Sequence, residues 1–368
     1  MKRKQCTSLM AALLCSTSAL AYPGHGHGIR HLEFIGEATF PTGYVFDGVE
    51  LGGLSGIDYD ASADSFIAIC DDRAQIGPAR FYELTMDLSD GYLDDGDIVF
   101  THMTEILDAD GSSFEAGAID PESIRIAPFP GLLYWTSEGD ANAGLAPFVR
   151  VMNRQGQPLD EFELPEAYLP NANHGIRNNL AFESLTFSFN REYLYTATEN
   201  ALVQDGPAAS IESGSSSRIL MLDRDNGKAK GEYIYKTDPV TDAPIPTGSF
   251  STNGLVELLS VAPHTFIAME RSFSVGVGNS IRLYLTTTLG ASNVKGLDSI
   301  EDARRVRSMK KRLLLNLADL GLPLDNIEGI SFGPTLPSGE RTLILVSDNN
   351  FNSGGQFTQF LAFKIGRY

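Results

Sequence analysis

One acid-led motif recurs along this 368-residue chain. It stands as Glu122-Ser123-Ile124, Glu183-Ser184-Leu185, Glu257-Leu258-Leu259 and Glu328-Gly329-Ile330, with a worn copy at Ser55-Gly56-Ile57. Each copy precedes a second apolar run that ends in an acid: Asp71-Asp72, Glu138, Glu199, Glu270 and Asp348. Carboxylates gathered in this number suit two kinds of chemistry. They hold hard divalent cations, since Ca2+ accepts six to eight oxygens, and they take protons as general bases. Without compensation they repel and raise one another's pKa values. Asn200, Asn349 and Asn350 add neutral oxygens beside them.

From this pattern the expected ligands of a divalent cation, calcium first, are Asp72, Glu122, Glu138, Glu183, Glu257, Glu270, Glu328 and Asp348. Glu183 and Glu199 are the carboxylates expected to act in catalysis. The segment His174-Gly175-Ile176-Arg177-Asn178-Asn179 lies just before Glu183 and supplies further candidates. Arg177 can grip a phosphate or carboxylate bidentately, and His174 can move a proton. Arg73, Arg271, Asn179 and Asn349 are expected to face a small phosphorylated or otherwise anionic substrate. The competing reading is architectural, with Arg73, Arg177 and Arg271 pairing the acids in a ring of salt bridges.

The elements that must position these residues are short strands. The motif starts are separated by 67, 61, 74 and 71 residues, and first and second acids by 16, 16, 13 and 20. A loose period of that size, filled with β-branched and aromatic runs bounded by Gly, Pro, Asn and Asp, predicts a radially repeated all-β fold, a β-propeller. Five units of four strands are expected, with six blades as the alternative. The first unit covers 54–60, 65–70, 80–88 and 97–106. The last unit lacks a fourth strand, and the early segment 31–40 is expected to supply it and close the ring, which removes exposed sheet edges. In such a blade the first strand starts, and the second ends, on the same face of the disc. Both sets of acids should therefore surround one opening. Residues 205–217 are expected to be a flexible loop, and 298–312 to hold a short helix.

Residues 1–21 have the pattern of a secretory leader: Lys2, Arg3 and Lys4, an apolar run from Leu9 to Leu14, and Ala19-Leu20-Ala21. An exported protein, periplasmic or extracellular, with one domain over 22–368 is expected. Its removal takes the formal charge from −19 to −22 and leaves Cys70 as the one cysteine, so no intrachain disulfide is possible. So acidic a chain argues against nucleic acid and anionic membrane as partners. No later apolar run approaches the ~20 residues of a membrane span. A monomer is expected. His25 and His27 belong to a Gly-rich tail, and the basic run Arg304 to Arg312 to a solvated face. No P-loop, G-x-S-x-G, H-E-x-x-H or C-x-x-C motif occurs.

Several segments carry a family resemblance: Leu54-Ser55-Gly56-Ile57 before Asp71-Asp72-Arg73, Asp120-Pro121-Glu122-Ser123 before Trp135-Thr136-Ser137-Glu138-Gly139, Asn179 to Leu185, Glu270-Arg271-Ser272, and Asn326-Ile327-Glu328-Gly329 before Ser347 to Phe351. In this order they resemble the phytase-like family, also called esterase-like activity of phytase, over roughly residues 45–365. The resemblance implies an exported bacterial β-propeller and phosphoester hydrolysis. The lysine-rich phosphate site of the calcium-dependent β-propeller phytases has no counterpart here, so phytate itself is not implied. The expected function is a metal-dependent phosphoester hydrolase. The alternatives are a calcium-stabilised propeller that binds without turnover, and a metal-independent esterase or lactonase.

Overall fold

The computed structural model describes residues 29–129 and 131–366. The leader-like residues 1–21, Cys6, Cys15, His25 and His27 lie outside them. Five four-stranded antiparallel sheets are arranged as the blades of a propeller. Blade 1 is Leu54–Asp60, Ser65–Cys70, Arg80–Met86 and Ile98–Glu105. Blade 2 is Pro121–Ile126, Leu132–Ser137, Phe148–Asn153 and Pro158–Glu161. Blade 3 is Phe182–Phe187, Tyr193–Thr198, Ser216–Asp223 and Ala229–Lys236. Blade 4 is Ser251–Ala262, Thr265–Ser274, Gly278–Thr287 and Lys310–Asn316. Blade 5 is Asn326–Thr335, Arg341–Asp348 and Phe357–Gly366, and the early strand His31–Pro41 is its outermost member, paired from His31 with Gly366 to Pro41 with Phe357. No sixth four-stranded sheet occurs among the described residues. None of their helices is long and apolar enough to cross a membrane.

Each strand alternates residues between its two faces, and each face packs on a neighbouring blade. The result is five apolar clusters, one per interface. Blades 1 and 2 meet through Ile69, Phe81, Ile124 and Trp135, and blades 2 and 3 through Val149, Phe182, Leu185 and Leu220. Blades 3 and 4 share Ala197, Tyr235, Leu258 and Phe266. Val256, Met269, Ile327 and Leu345 join blades 4 and 5, and Leu54, Tyr82, Val346 and Phe360 join blade 5 to blade 1. Trp135 is core, 1 % exposed.

A buried ion pair ties all five inner strands together. Arg125 of blade 2 donates from Nη1 to the Ile57 carbonyl of blade 1 at 2.7 Å, and from Nη2 to the Ile330 carbonyl of blade 5 at 3.2 Å. The same Nη2 meets Glu257 Oε2 of blade 4 at 2.6 Å. Glu257 Oε1 accepts from the Leu185 amide of blade 3 at 3.1 Å.

Residues 298–312 hold the expected short helix, one 3-10 turn over Ile300–Asp302, before a strand that starts at Lys310. The 205–217 segment, expected to be flexible, is anchored: Arg218 pairs with Asp205, and Arg177 donates to the Ala201 and Gly206 carbonyls.

Candidate functional site

The inner strand of each blade carries a β-bulge at one common level, where the register with the second strand slips. A bulge re-aims a side chain out of the regular alternation. The residues at the slip are Ser55, Glu122, Glu183, Val256 and Glu328 in blades 1 to 5. Just past the last second-strand residue paired before the slip come Asp71, Glu138, Glu199, Arg271 and Asp348. These two five-membered rings surround a cavity of about 220 Å3. Asp71, Asp120, Glu122, Glu183, Glu328 and Asp348 line it, with Arg73, Arg271, Asn179, Asn326 and Asn350. Glu138 and Glu199 are buried in the same rings. Backbone without side chains makes room for them: a Cβ on Gly254 would stand 2.0 Å from Glu199 Oε1, and one on Gly53 would stand 2.2 Å from Asp71 Oδ1.

Blade 1 lacks an acid only in the first ring, where Ser55 stands, while blade 4 brings none to either. Its motif acid, Glu257, follows the bulge instead of occupying it, and a one-residue slip turns a side chain to the other face. Glu257 therefore points below the cavity, where Arg125, Ser123 Oγ and the Leu185 and Leu258 amides engage its oxygens. Glu270 comes one residue before its ring position. Lys311 Nζ of blade 4's own outer strand lies 2.5 Å from it, and Tyr235 of blade 3 and the Asp238 amide also donate to it. Arg271 takes the position in the ring, so blade 4 brings a cation where the other blades bring carboxylates.

Four more expected residues are placed elsewhere. Asp72, one position beyond the ring, accepts from Arg80 and from the amides of Gln75, Ile76 and Gly77, while Asp71 lines the cavity. Arg177 is spent on the 201–206 loop. His174 Nε2 lies 2.6 Å from Asp298, and neither residue lines the cavity. Asn349 is fully buried between blades 5 and 1, its Oδ1 accepting from the Gly53 and Phe351 amides. The structure brings together Glu122, Glu138, Glu183, Glu199, Glu328, Asp348, Arg73, Arg271 and Asn179 from the expected set. Asp71 and Asn350, which the sequence also set beside these acids, line the cavity with them, and the structure adds Asp120 and Asn326. Asp120 was signalled only by its place two residues before Glu122, with Pro121 between them.

Two guanidiniums face this excess of acid. Arg73 pairs with Asp120, lies 3.7 Å from Glu138 and donates to Asn179 at 2.9 Å. Arg271 lies 2.9 Å from Glu328 and 3.8 Å from Glu199. Two cations do not balance the rings, and the carboxyls are pushed up. Burial is the largest cause at every one of them, and neighbouring carboxylates add to it. Asp71, Glu122 and Glu183 rise well above the ordinary range. Asp120, beside Glu138, reaches about 9, and Glu138 and Asp348 about 7. Asp120, Glu122 and Glu138 each present an oxygen within 4.8 Å of the others. Glu199 Oε1 is buried without a hydrogen-bond partner. The donor set is all oxygen and strongly anionic, which fits a hard divalent cation.

These shifts set a sign for stability against pH. A carboxyl raised on folding stabilises the fold while protonated, and that contribution is lost as pH climbs through the raised value. The chelated protein is therefore expected to melt at least about 5 °C lower at pH 9 than at pH 5. Ca2+ should recover the difference mainly at the alkaline end. Thermal unfolding across that range, with and without Ca2+, checks this; a Tm that stays level or rises from pH 5 to 9 without metal contradicts it.

A family model described as Phytase-like, esterase-like activity of phytase, matches residues 49–351. No curated protein matches the chain. Among solved structures the chain is similar to the Dos1 propeller, at 7 % identity over 86 % of this chain and 68 % of that one, with a TM-score of 0.35. It is also similar to the Pseudomonas aeruginosa periplasmic gluconolactonase PpgL, at 12 % identity over 86 % of this chain and 87 % of that one, again with a TM-score of 0.35. Neither likeness bears on the chemistry of this cavity.

Proposed function

The chain belongs to the phytase-like family, and from that premise we propose that it is an exported hydrolase of phosphoester bonds that works at the acidic cavity with a divalent cation, calcium first. The observation that carries this reading is the composition of the cavity: six lining carboxylates and two guanidiniums in about 220 Å3. Carboxylates alone would exclude a phosphate. With a cation among them and Arg73 and Arg271 at the wall, an anion is attracted instead. Export rests on the leader pattern of residues 1–21.

Asp120, Glu122 and Glu138 would hold the cation, with Asp71 and Glu183 beside them. When bound, such an ion neutralises phosphoryl charge and polarises the ester for attack by water. The chain's own residues do the rest. Arg271 and Arg73 grip phosphoryl oxygens and stabilise the charge that develops on them. Glu199 Oε1, unpartnered and 3.8 Å from Arg271, would take a proton from the attacking water and return it to the alcohol oxygen that leaves as the P–O ester bond breaks. Glu183, on the neighbouring bulge, orients the same water. Asn179 holds Arg73 in place at 2.9 Å.

Metal analysis of the purified protein, followed by hydrolysis of p-nitrophenyl phosphate and bis(p-nitrophenyl) phosphate with and without chelator, tests this. Bound calcium and chelator-sensitive turnover, restored by added Ca2+, are expected. Bound calcium without turnover of either ester would make the chain a binding propeller. Turnover of carboxylic esters that survives chelation would make it a metal-independent esterase.

A further inference from the structure

Blade 4 differs from the others above the cavity as well as in it. In blades 1, 2, 3 and 5 the pairing of first and second strands ends at cavity level, with Leu54–Cys70, Pro121–Ser137, Phe182–Thr198 and Asn326–Asp348. In blade 4 it continues outward through Asn253–Ser272, Thr252–Phe273 and Ser251–Ser274. At about 3.4 Å per residue the extension stands roughly 10 Å proud of Arg271. Side chains two apart share a strand face. Phe273 therefore lies on the same face as Arg271, one step further out.

The tip of this extension, formed by the turn from the second strand into the third at Val275–Val277 and by the segment before the first strand, is apolar. Ile245 and Phe250 are each 65 % exposed, and Val277 48 %. They are held there by the backbone: the Ile245 amide donates to the Val275 carbonyl at 2.8 Å and the Val275 amide to the Phe250 carbonyl at 3.1 Å. Phe250 and Phe273 are in ring contact, centroids 6.3 Å apart. Large apolar side chains exposed together on a rigid scaffold mark a contact site more often than chance placement does. Here they continue the wall that carries the ring's guanidinium.

We propose that Phe250, Phe273, Ile245 and Val277 form a subsite for a hydrocarbon group attached to the anion held at Arg271. The substrate is then an amphiphilic phosphoester, with an alkyl or aryl group beside the phosphate, in place of a polyphosphorylated polar molecule. This deepens the phosphoester reading and rests on it. The continuity from Arg271 to Phe273 commits the tip to the substrate's own apolar part, because one molecule can reach both.

Calorimetric titration of the calcium-loaded protein with methylphosphonate and with submicellar octylphosphonate tests the proposal without turnover. Octylphosphonate is expected to bind at least tenfold more tightly, since each methylene that leaves water adds affinity. The F250S/V277S double variant, altered only at exposed side chains, is expected to bring octylphosphonate down to the methylphosphonate affinity. Arg271→Ala should weaken both ligands alike. Equal affinities in the unaltered protein, or an octyl preference that survives F250S/V277S, would overturn the subsite and leave the phosphoester reading standing. No binding of either phosphonate would overturn that reading and the subsite with it. A dimer in solution that F250S/V277S turns into monomers would assign the tip to a second copy of the chain instead.

Discussion

Arg125→Ala should lower the melting temperature by about 10 °C. Truncating one partner of a buried pair leaves the other charge without compensation and costs on the order of 3–5 kcal/mol, and in a chain of this size a few degrees follow from each kcal/mol. Glu257 is fully buried and its remaining partners are neutral. The loss also removes bonds to the Ile57 and Ile330 carbonyls, so blades 1, 4 and 5 let go of blade 2 together. Glu257→Ala should cost about as much. The double replacement Arg125→Met with Glu257→Leu should recover most of it, because an apolar pair of similar volume needs no compensation. Thermal unfolding of the four proteins is the measurement. A single variant within about 2 °C of the parent would show that the pair contributes nothing to holding the ring.

Arg271→Ala is expected to lower kcat/KM for p-nitrophenyl phosphate by about 10²–10³, the usual loss when a preorganised donor to a developing oxyanion is removed. Arg271 is the one cation that the blade repeat places within the rings, since Arg73 stands two positions past Asp71. Arg271→Lys should restore part of the activity, because lysine supplies the charge without the planar fork. The loss should fall mainly on kcat, as the guanidinium's contribution grows while charge develops. A change carried entirely by KM would make Arg271 a binding group only. Unchanged kinetics would remove it from the site.

The fold is legible from the sequence because a propeller repeats one small pattern. Every inner strand must bury both faces, so Ile57, Ile124, Leu185, Leu258 and Ile330 announce it at one spacing. The early strand His31–Pro41 follows by elimination, from a last unit one strand short. The face that carries the acids is also legible, and Glu122, Glu183, Glu328 and Asp348 reach the cavity.

Phase within the motif is what the sequence hides. A single bulge residue decides whether an acid faces the cavity, and blade 4 carries a second register slip between Ser260 and Ala262 that puts Ala262-Pro263 as far from Glu257 as Ala127-Pro128 is from Glu122. Glu257-Leu258-Leu259 thus mimics Glu122-Ser123-Ile124 at both ends while being one residue out of step where it counts. The better signal was Val256-Glu257-Leu258 against Glu122-Ser123-Ile124, with the buried aliphatic third residue as the fixed point. In the second strand it is the pairing of Leu255 with Glu270, matching Phe182 with Thr198, that puts Arg271 level with Glu199. Arg177 and His174 precede Glu183 closely in sequence, but loops are placed by their own anchors, here the Ala201 and Gly206 carbonyls and Asp298.

The Arg125–Glu257 pair has a kinetic meaning beyond its part in holding the blades. It crosses the axis directly beneath the carboxylate rings and leaves the cavity open on one face of the disc. On the phosphoester reading, incoming ester and released phosphate would share one mouth, past the same two guanidiniums and the blade 4 extension, and turnover would depend on how fast the product clears it.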